Sequence, residues 1–230
     1  MRIIFGGIFL LVFGFPCFVA AQIGLHAGIR LNDAPDWNIL DRSNGQVTEV
    51  PGSSWSAGID YAIKLRKVRI EFLPELNYSM YEVQVRDLGP MDARFFNGFF
   101  NIHIYPLDLK GDCECPTFVK KGNSLAKGFF IQLSPGYTYF KGEIDSEAVL
   151  YRGWSTNPSM AAGIGLDLGI SRFLTLTPLA GLRYYPNVIW PGIEEALARD
   201  VSIGDRAGSN ESALTQIYAG IRLGLNLRGR

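Results

Sequence analysis

Eight times along this 230-residue chain, apolar side chains fall on every second position for about nine to eleven residues. The segments are 23–31, 55–65, 68–78, 96–104, 129–139, 160–170, 174–184 and 217–227. A period of two places successive side chains on opposite faces of an extended chain, so the pattern predicts an all-β fold. In the stretch VRIEFLPELNYS, Val68, Ile70, Phe72, Leu76 and Tyr78 share one face. Arg69, Glu71, Glu75 and Asn77 share the other. Each segment is about as long as a tilted strand must be to cross a bilayer.

A soluble barrel would turn the apolar face inward and a membrane barrel would turn it outward. Two features favour the inverted arrangement. The polar phase holds Gly24, Gly28, Gly58, Gly163, Gly165, Gly169, Gly181, Gly220 and Gly224, which suit a crowded interior and serve no purpose on a solvated exterior. The apolar phase is almost free of charge, whereas soluble barrels solvate one face with many lysines and glutamates. Trp55, Tyr78, Phe129, Tyr139 and Tyr184 near segment ends fit an interfacial girdle. The reading is an eight-stranded antiparallel up-and-down transmembrane β-barrel.

The connections agree with both termini lying in the periplasm, where turns are short and outer loops long. Residues 33–54, 84–93, 141–158 and 186–213 are read as outer loops, and 66–67 and 171–173 as inner turns. Residues 106–126 are the exception, a long connection on the inner side. Pro74, Pro135 and Pro178 fall within strands on the apolar phase and are expected at bulges.

The N-terminus MRIIFGGIFLLVFGFPCFVAAQ reads as a secretory signal peptide over 1–21, with Arg2 as n-region and Val19-Ala20-Ala21 before the cleavage point. A permanent anchor and a lipoprotein site at Cys17 are the alternatives. The barrel domain is then 22–230, in the cell outer membrane with lipid around it. Net charge is zero and no basic run is present, so nucleic acid is not an expected partner.

Arg30, Asp60, Lys64, Arg69, Glu71, Glu75, Asp167, Arg183 and Arg222 share the polar phase, which predicts a lumen charge network. It could be an ion path or a plug. An eight-stranded interior has room for side chains and little else, which favours the plug. In GDCECP, Cys113 and Cys115 suggest a cross-link in an oxidising compartment, with free thiols and a weak metal site as alternatives. His26 and His103 have no serine at a telling spacing, so no enzyme, catalytic residue or cofactor is expected. WPGIEEALARD, 190–200, suggests a short helix in the last outer loop.

AQIGLHAGIRLN, FLPELNYS, FFIQLSPGYTYF and YAGIRLGLNL together resemble the small outer-membrane β-barrel family of Bacteroidota, across residues 22–230. Its PorT-like members include a component of the type IX secretion system. The end Asn226-Leu227-Arg228-Gly229-Arg230 departs from the terminal aromatic usual in such barrels. The first reading of the filled barrel is a structural, docking or surface-recognition role. An alternative that the resemblance implies is a secretion accessory that holds a periplasmic protein through 106–126. A lipid-modifying enzyme is the third possibility.

Overall fold

The computed structural model describes residues 21–37, 39–41, 46–48, 50–65, 68–85, 89–109, 127–146, 149–171, 173–194 and 209–226. Its strands are β1 (Ala21–Asp33), β2 (Ile39–Asp41), β3 (Gln46–Thr48), β4 (Ser53–Lys64), β5 (Ile70–Val85), β6 (Gly89–Ile104), β7 (Phe129–Ser146), β8 (Val149–Leu166), β9 (Leu168–Gly169), β10 (Leu174–Ile189) and β11 (Glu211–Asn226). β1, β4, β5, β6, β7, β8, β10 and β11 pair antiparallel in chain order, and β11 returns to β1. The sheet is a closed eight-stranded up-and-down barrel, as expected, with no free edge around its transmembrane part. β9 continues the wall past Asp167, and the β2–β3 hairpin lies in the β1–β4 connection.

Closure puts Gln22 opposite Asn226, so the start of β1 and the end of β11 lie at one mouth, the terminal end.

The prolines cause no bulges. Pro74 stays in register with Phe100, Pro135 with Met160 and Pro178 with Ile221. On the other side of two of them the ladder skips, from Asp60–Glu75 to Ile63–Phe72 and from Phe99–Gly136 to Ile102–Leu133. The third ends the ladder at Leu179–Gly165. Each proline removes one donor, so one neighbour loses a bond and the register holds. The register shift in β10 lies elsewhere, between Tyr185 and Val188.

Two of the outer loops are much shorter than expected. Residues 84–93 and 141–158 mostly continue as strand, leaving only 86–88 between β5 and β6 and 147–148 between β7 and β8. β5 to β8 are therefore 16 to 18 residues long, well beyond the nine to eleven that cross a bilayer. β10 and β11 are 16 residues each, so three adjacent strand pairs rise past the membrane at the far end.

The alternation has two regimes along these strands. In the lower regime the barrel is inverted, with Leu76 66% exposed and Glu75 7% exposed. Outward residues from Ile23 to Leu31, Trp55 to Ile63, Ile70 to Tyr78 and Phe129 to Tyr139 carry no charge. Trp55 packs on Tyr78, Tyr78 on Phe96, Phe96 on Tyr139 and Tyr139 on Trp154, an aromatic row across five strands. Such rows mark the membrane–water interface.

Above that row the polarity of the two faces is exchanged. Tyr81, Met91, Ala93, Phe95, Phe140 and Ile144 point inward and are buried, while Glu82, Asp92, Arg94, Lys141, Glu143 and Arg152 point outward. This is the order of a soluble sheet, and it shows where water begins. Trp37, held in a 3-10 turn (Pro35–Trp37), and Trp190 close this upper core from the loops. The rings of Trp37, Phe140 and Trp190 meet pairwise at 5.4–5.8 Å.

Labelling should report the lower regime directly. In a background without Cys113 and Cys115, Leu223→Cys, 41% exposed, should react with a lipid-soluble maleimide, and Ser134→Cys, 2% exposed, should not. Equal reaction at both sites would contradict the inverted wall.

Candidate functional site

The lumen fills from the wall inward. Glycine pairs let the strands and their inward side chains crowd together. A Cβ on Gly220 would stand 2.7 Å from the Ala27 carbonyl oxygen, and one on Gly163 would stand 2.6 Å from the Tyr218 hydroxyl. The room left by these glycines is taken by long side chains from neighbouring strands.

Seven of the nine expected lumen charges are buried: Arg30, Asp60, Glu71, Glu75, Asp167, Arg183 and Arg222 are each at most 9% exposed. They form separate clusters rather than one network. Arg222 donates from Nε to Asp60 Oδ2 at 2.7 Å and from Nη2 to Oδ1 at 2.6 Å, a bidentate pair. Arg183 donates to Glu75 at 3.0 Å, and its guanidinium lies 4.4 Å from the Phe99 ring and 4.9 Å from that of Tyr218. Glu75 also accepts from Asn101 at 2.5 Å and faces His26 Nε2 at 3.6 Å.

Arg30 has neutral partners. It donates to Ser79 at 3.0 Å, to Gln216 at 3.2 Å and to Asn77. Asp167 accepts from Tyr105 and Thr177, each at 2.6 Å. Lys64 and Arg69 sit lower, at the terminal mouth. Lys64 pairs with Glu71 at 3.1 Å, and Arg69 pairs with Asp108 and lies 4.3 Å from the Tyr105 ring.

Among the described residues the interior, counted with Lys64 at its mouth, holds four cations (Arg30, Lys64, Arg183, Arg222) and four carboxylates (Asp60, Glu71, Glu75, Asp167). The balance matters because an unpaired charge in this setting costs several kcal/mol. The space left beside Arg30, Glu75, Arg183 and Tyr218 is a cavity of about 30 Å³, room for about two waters. Above it stands the aromatic core, so the polar lumen is capped by packed rings at the far end.

The histidines are part of this filling. His103 exchanges a 3.1 Å hydrogen bond with Gln132 and stacks on Phe130 at 4.0 Å. Among the described residues neither histidine is hydrogen-bonded to a serine or cysteine, and no group of histidine, cysteine and carboxylate side chains is arranged to hold a metal. Of the expected signal peptide 1–21, residues 1–20 lie outside the described residues, as do Cys113, Cys115 and 110–126. Of WPGIEEALARD, Trp190 and Ile193 are buried in the upper core, and 195–200 lie outside the description.

A second concentration of charge was not singled out from sequence. Just above the aromatic row, Arg94 on β6 stands directly opposite Lys141 on β7, and Asp92 stands opposite Glu143 one row higher. Arg94 donates to Asp92 at 2.9 Å and Lys141 to Glu143 at 2.6 Å, while Arg152 Nε lies 3.2 Å from Glu143. The hydrogen bond from Lys141 holds the Glu143 carboxyl below its ordinary pKa, and that to Asp92 raises Arg94. The signal was available in 140–145, where Lys141, Glu143 and Asp145 alternate with Phe140, Gly142 and Ile144.

A closed barrel with an uncharged apolar exterior, an aromatic row and a polar interior is the construction of a protein of the cell outer membrane. No protein-family model matches the sequence, and none of the curated proteins does. Solved structures of similar form include Neisserial surface protein A (TM-score 0.45, 11% identity, 90% of this chain and 97% of that one). The attachment invasion locus protein Ail of Yersinia pestis, in complex with the heparin analogue sucrose octasulfate, is also similar (TM-score 0.48, 8% identity, 89% and 99%). So is a major outer membrane protein of Thermus thermophilus (TM-score 0.46, 10% identity, 90% and 100%). At these scores and identities the barrel's character rests on its own geometry.

Proposed function

We propose that this protein is a structural and docking barrel that passes no solute and carries a rigid sheet above the outer membrane. The observation that carries the reading is the filling of the interior. Paired charges occupy the lower lumen, and Trp37, Phe95, Phe140, Tyr185 and Trp190 pack above them. An open pore would use its inward residues to line water, as larger barrels do. Here most of them bond to one another, and β5 to β8, β10 and β11 extend the wall beyond the aromatic row. The same arrangement supports a non-enzymatic role, since the lumen charges are held by neighbouring lumen side chains.

Planar-bilayer recording of the purified full chain tests this. The expected result is no stable conductance step. Large, persistent steps in the wild type would overturn the reading.

The length of the β6–β7 connection, 105–128, favours a second reading as a secretion accessory related to the PorT-like barrels. Its described ends are tied down, by Arg69 to Asp108 and by Asp167 N–H donating to the Gly128 carbonyl at 2.9 Å. Residues 106–126, stiffened by a Cys113–Cys115 cross-link, would then hold a periplasmic partner. Replacing 109–123 by a short turn should leave the barrel folded and remove that partner from co-purified material. Unchanged co-purification would end this reading.

A further inference from the structure

On the outer wall of β6 and β7 the charges are sorted by height. Arg94 faces Lys141 across the ladder, and Asp92 faces Glu143 in the row above. Like charges directly opposite on one sheet face destabilise it. An arrangement serving stability alone would set Arg94 opposite a carboxylate. Instead the two β6–β7 cations occupy the row nearer the membrane and the two carboxylates the row farther out, where Arg152 on β8 stands opposite Glu143. Trp154 stands beside Lys141 in that lower row, stacked on Tyr139 at 5.9 Å.

The height of the cation row is fixed by the Phe96 and Tyr139 rings beneath it. Phe96 and Tyr139 are two residues below Arg94 and Lys141. That is about 7 Å along the strand, or about 5 Å of depth at the usual tilt. The headgroup layer on each side of a bilayer is about 5–7 Å thick. Arg94 and Lys141, their side chains 34% and 37% exposed, therefore lie at the depth of lipid phosphates.

We infer that Arg94 and Lys141 form a site for a phosphate of an outer-leaflet lipid, with Trp154 packed against its acyl or sugar portion. The phosphate sits between the guanidinium and ammonium groups and relieves their mutual repulsion. Asp92 and Glu143 hold the cations in place when the lipid is absent and compete with it when it is present. Arg94 offers a planar fork and Lys141 a point charge, the two common ways of holding phosphate. No bond is made or broken.

The test is native mass spectrometry of the full chain in detergent, titrated with diphosphoryl lipid A. The Arg94→Gln/Lys141→Gln protein should bind it about thirtyfold more weakly than wild type, from roughly a fivefold contribution of each cation near the surface taken together. Asp92→Asn/Glu143→Gln should bind at least as tightly as wild type. Lipid A stripped of its phosphates should bind wild type as weakly as diphosphoryl lipid A binds the glutamine variant. Equal affinity of wild type and the glutamine variant overturns the inference, as does equal binding of phosphate-free lipid A. Displacement of lipid A by inorganic phosphate at comparable concentration also overturns it, because the site then takes free phosphate. Folding of each variant is read from its heat-modifiable gel shift. If the glutamine variant does not fold, the Asp92→Asn/Glu143→Gln protein decides, and weakened binding there overturns the inference.

Discussion

Replacing Glu75 by leucine is expected to destabilise the barrel by about 3–5 kcal/mol, the usual cost of removing one member of a buried ion pair. Glu75 is the carboxylate for Arg183 and also accepts from Asn101 and faces His26. Without it, Arg183 keeps its two ring contacts but has no counter-charge, and Arg30, whose own hydrogen-bond partners are neutral, adds to the excess. The double change Glu75→Leu/Arg183→Met should recover most of the loss, since apolar replacement of a whole buried pair is often near neutral. Urea titration of the barrel in lipid vesicles, read by heat modifiability, gives the three stabilities. A double variant as unstable as the single one would show that the pair is not the source of the effect.

A charge on the outer wall should be costly or harmless according to height alone. Leu133, 46% exposed and flanked by Ile102 and Ala162, lies in the lower band. Leu133→Arg is expected to cost about 2–4 kcal/mol, as for arginine near the bilayer midplane. Leu150, 48% exposed on the same outward phase, lies above the aromatic row. Leu150→Arg should change stability by no more than about 0.5 kcal/mol. The exposures are nearly equal, so burial cannot explain a difference. The same urea titration applies, and equal effects at the two sites would contradict the assigned water line.

Much of the lower barrel was legible in the sequence because one physical rule governed it. Polar residues faced a narrow interior and apolar ones faced lipid, so the inward phase of Glu71, Glu75 and Arg222 could be read from the alternation around them. The upper sheet was missed for a physical reason. At Phe140 the period of two continues, but the polar and apolar roles trade places, and the contrast that marked a membrane strand then reads as loop. Tyr81, Met91, Phe95 and Ile144 sit on the same inward phase as Asn77, Asn97 and Thr138. The grouping of the charges into separate clusters was also hidden, because which arginine reaches which carboxylate depends on barrel closure. The Asp60–Arg222 pair spans 162 positions in sequence.

The exchange of polarity at the aromatic row also sets how deep the protein floats. Sinking by one row would carry Arg94 and Lys141 toward hydrocarbon. Rising by one row would lift uncharged apolar residues of the lower band into water. Both displacements are uphill, and they oppose each other over about 5 Å of travel. The barrel therefore has a single plimsoll line and a single upright orientation. Any membrane that thins or thickens around it must do its adjusting in the lipid or at the terminal mouth, since the far-end seam is held in place from both sides.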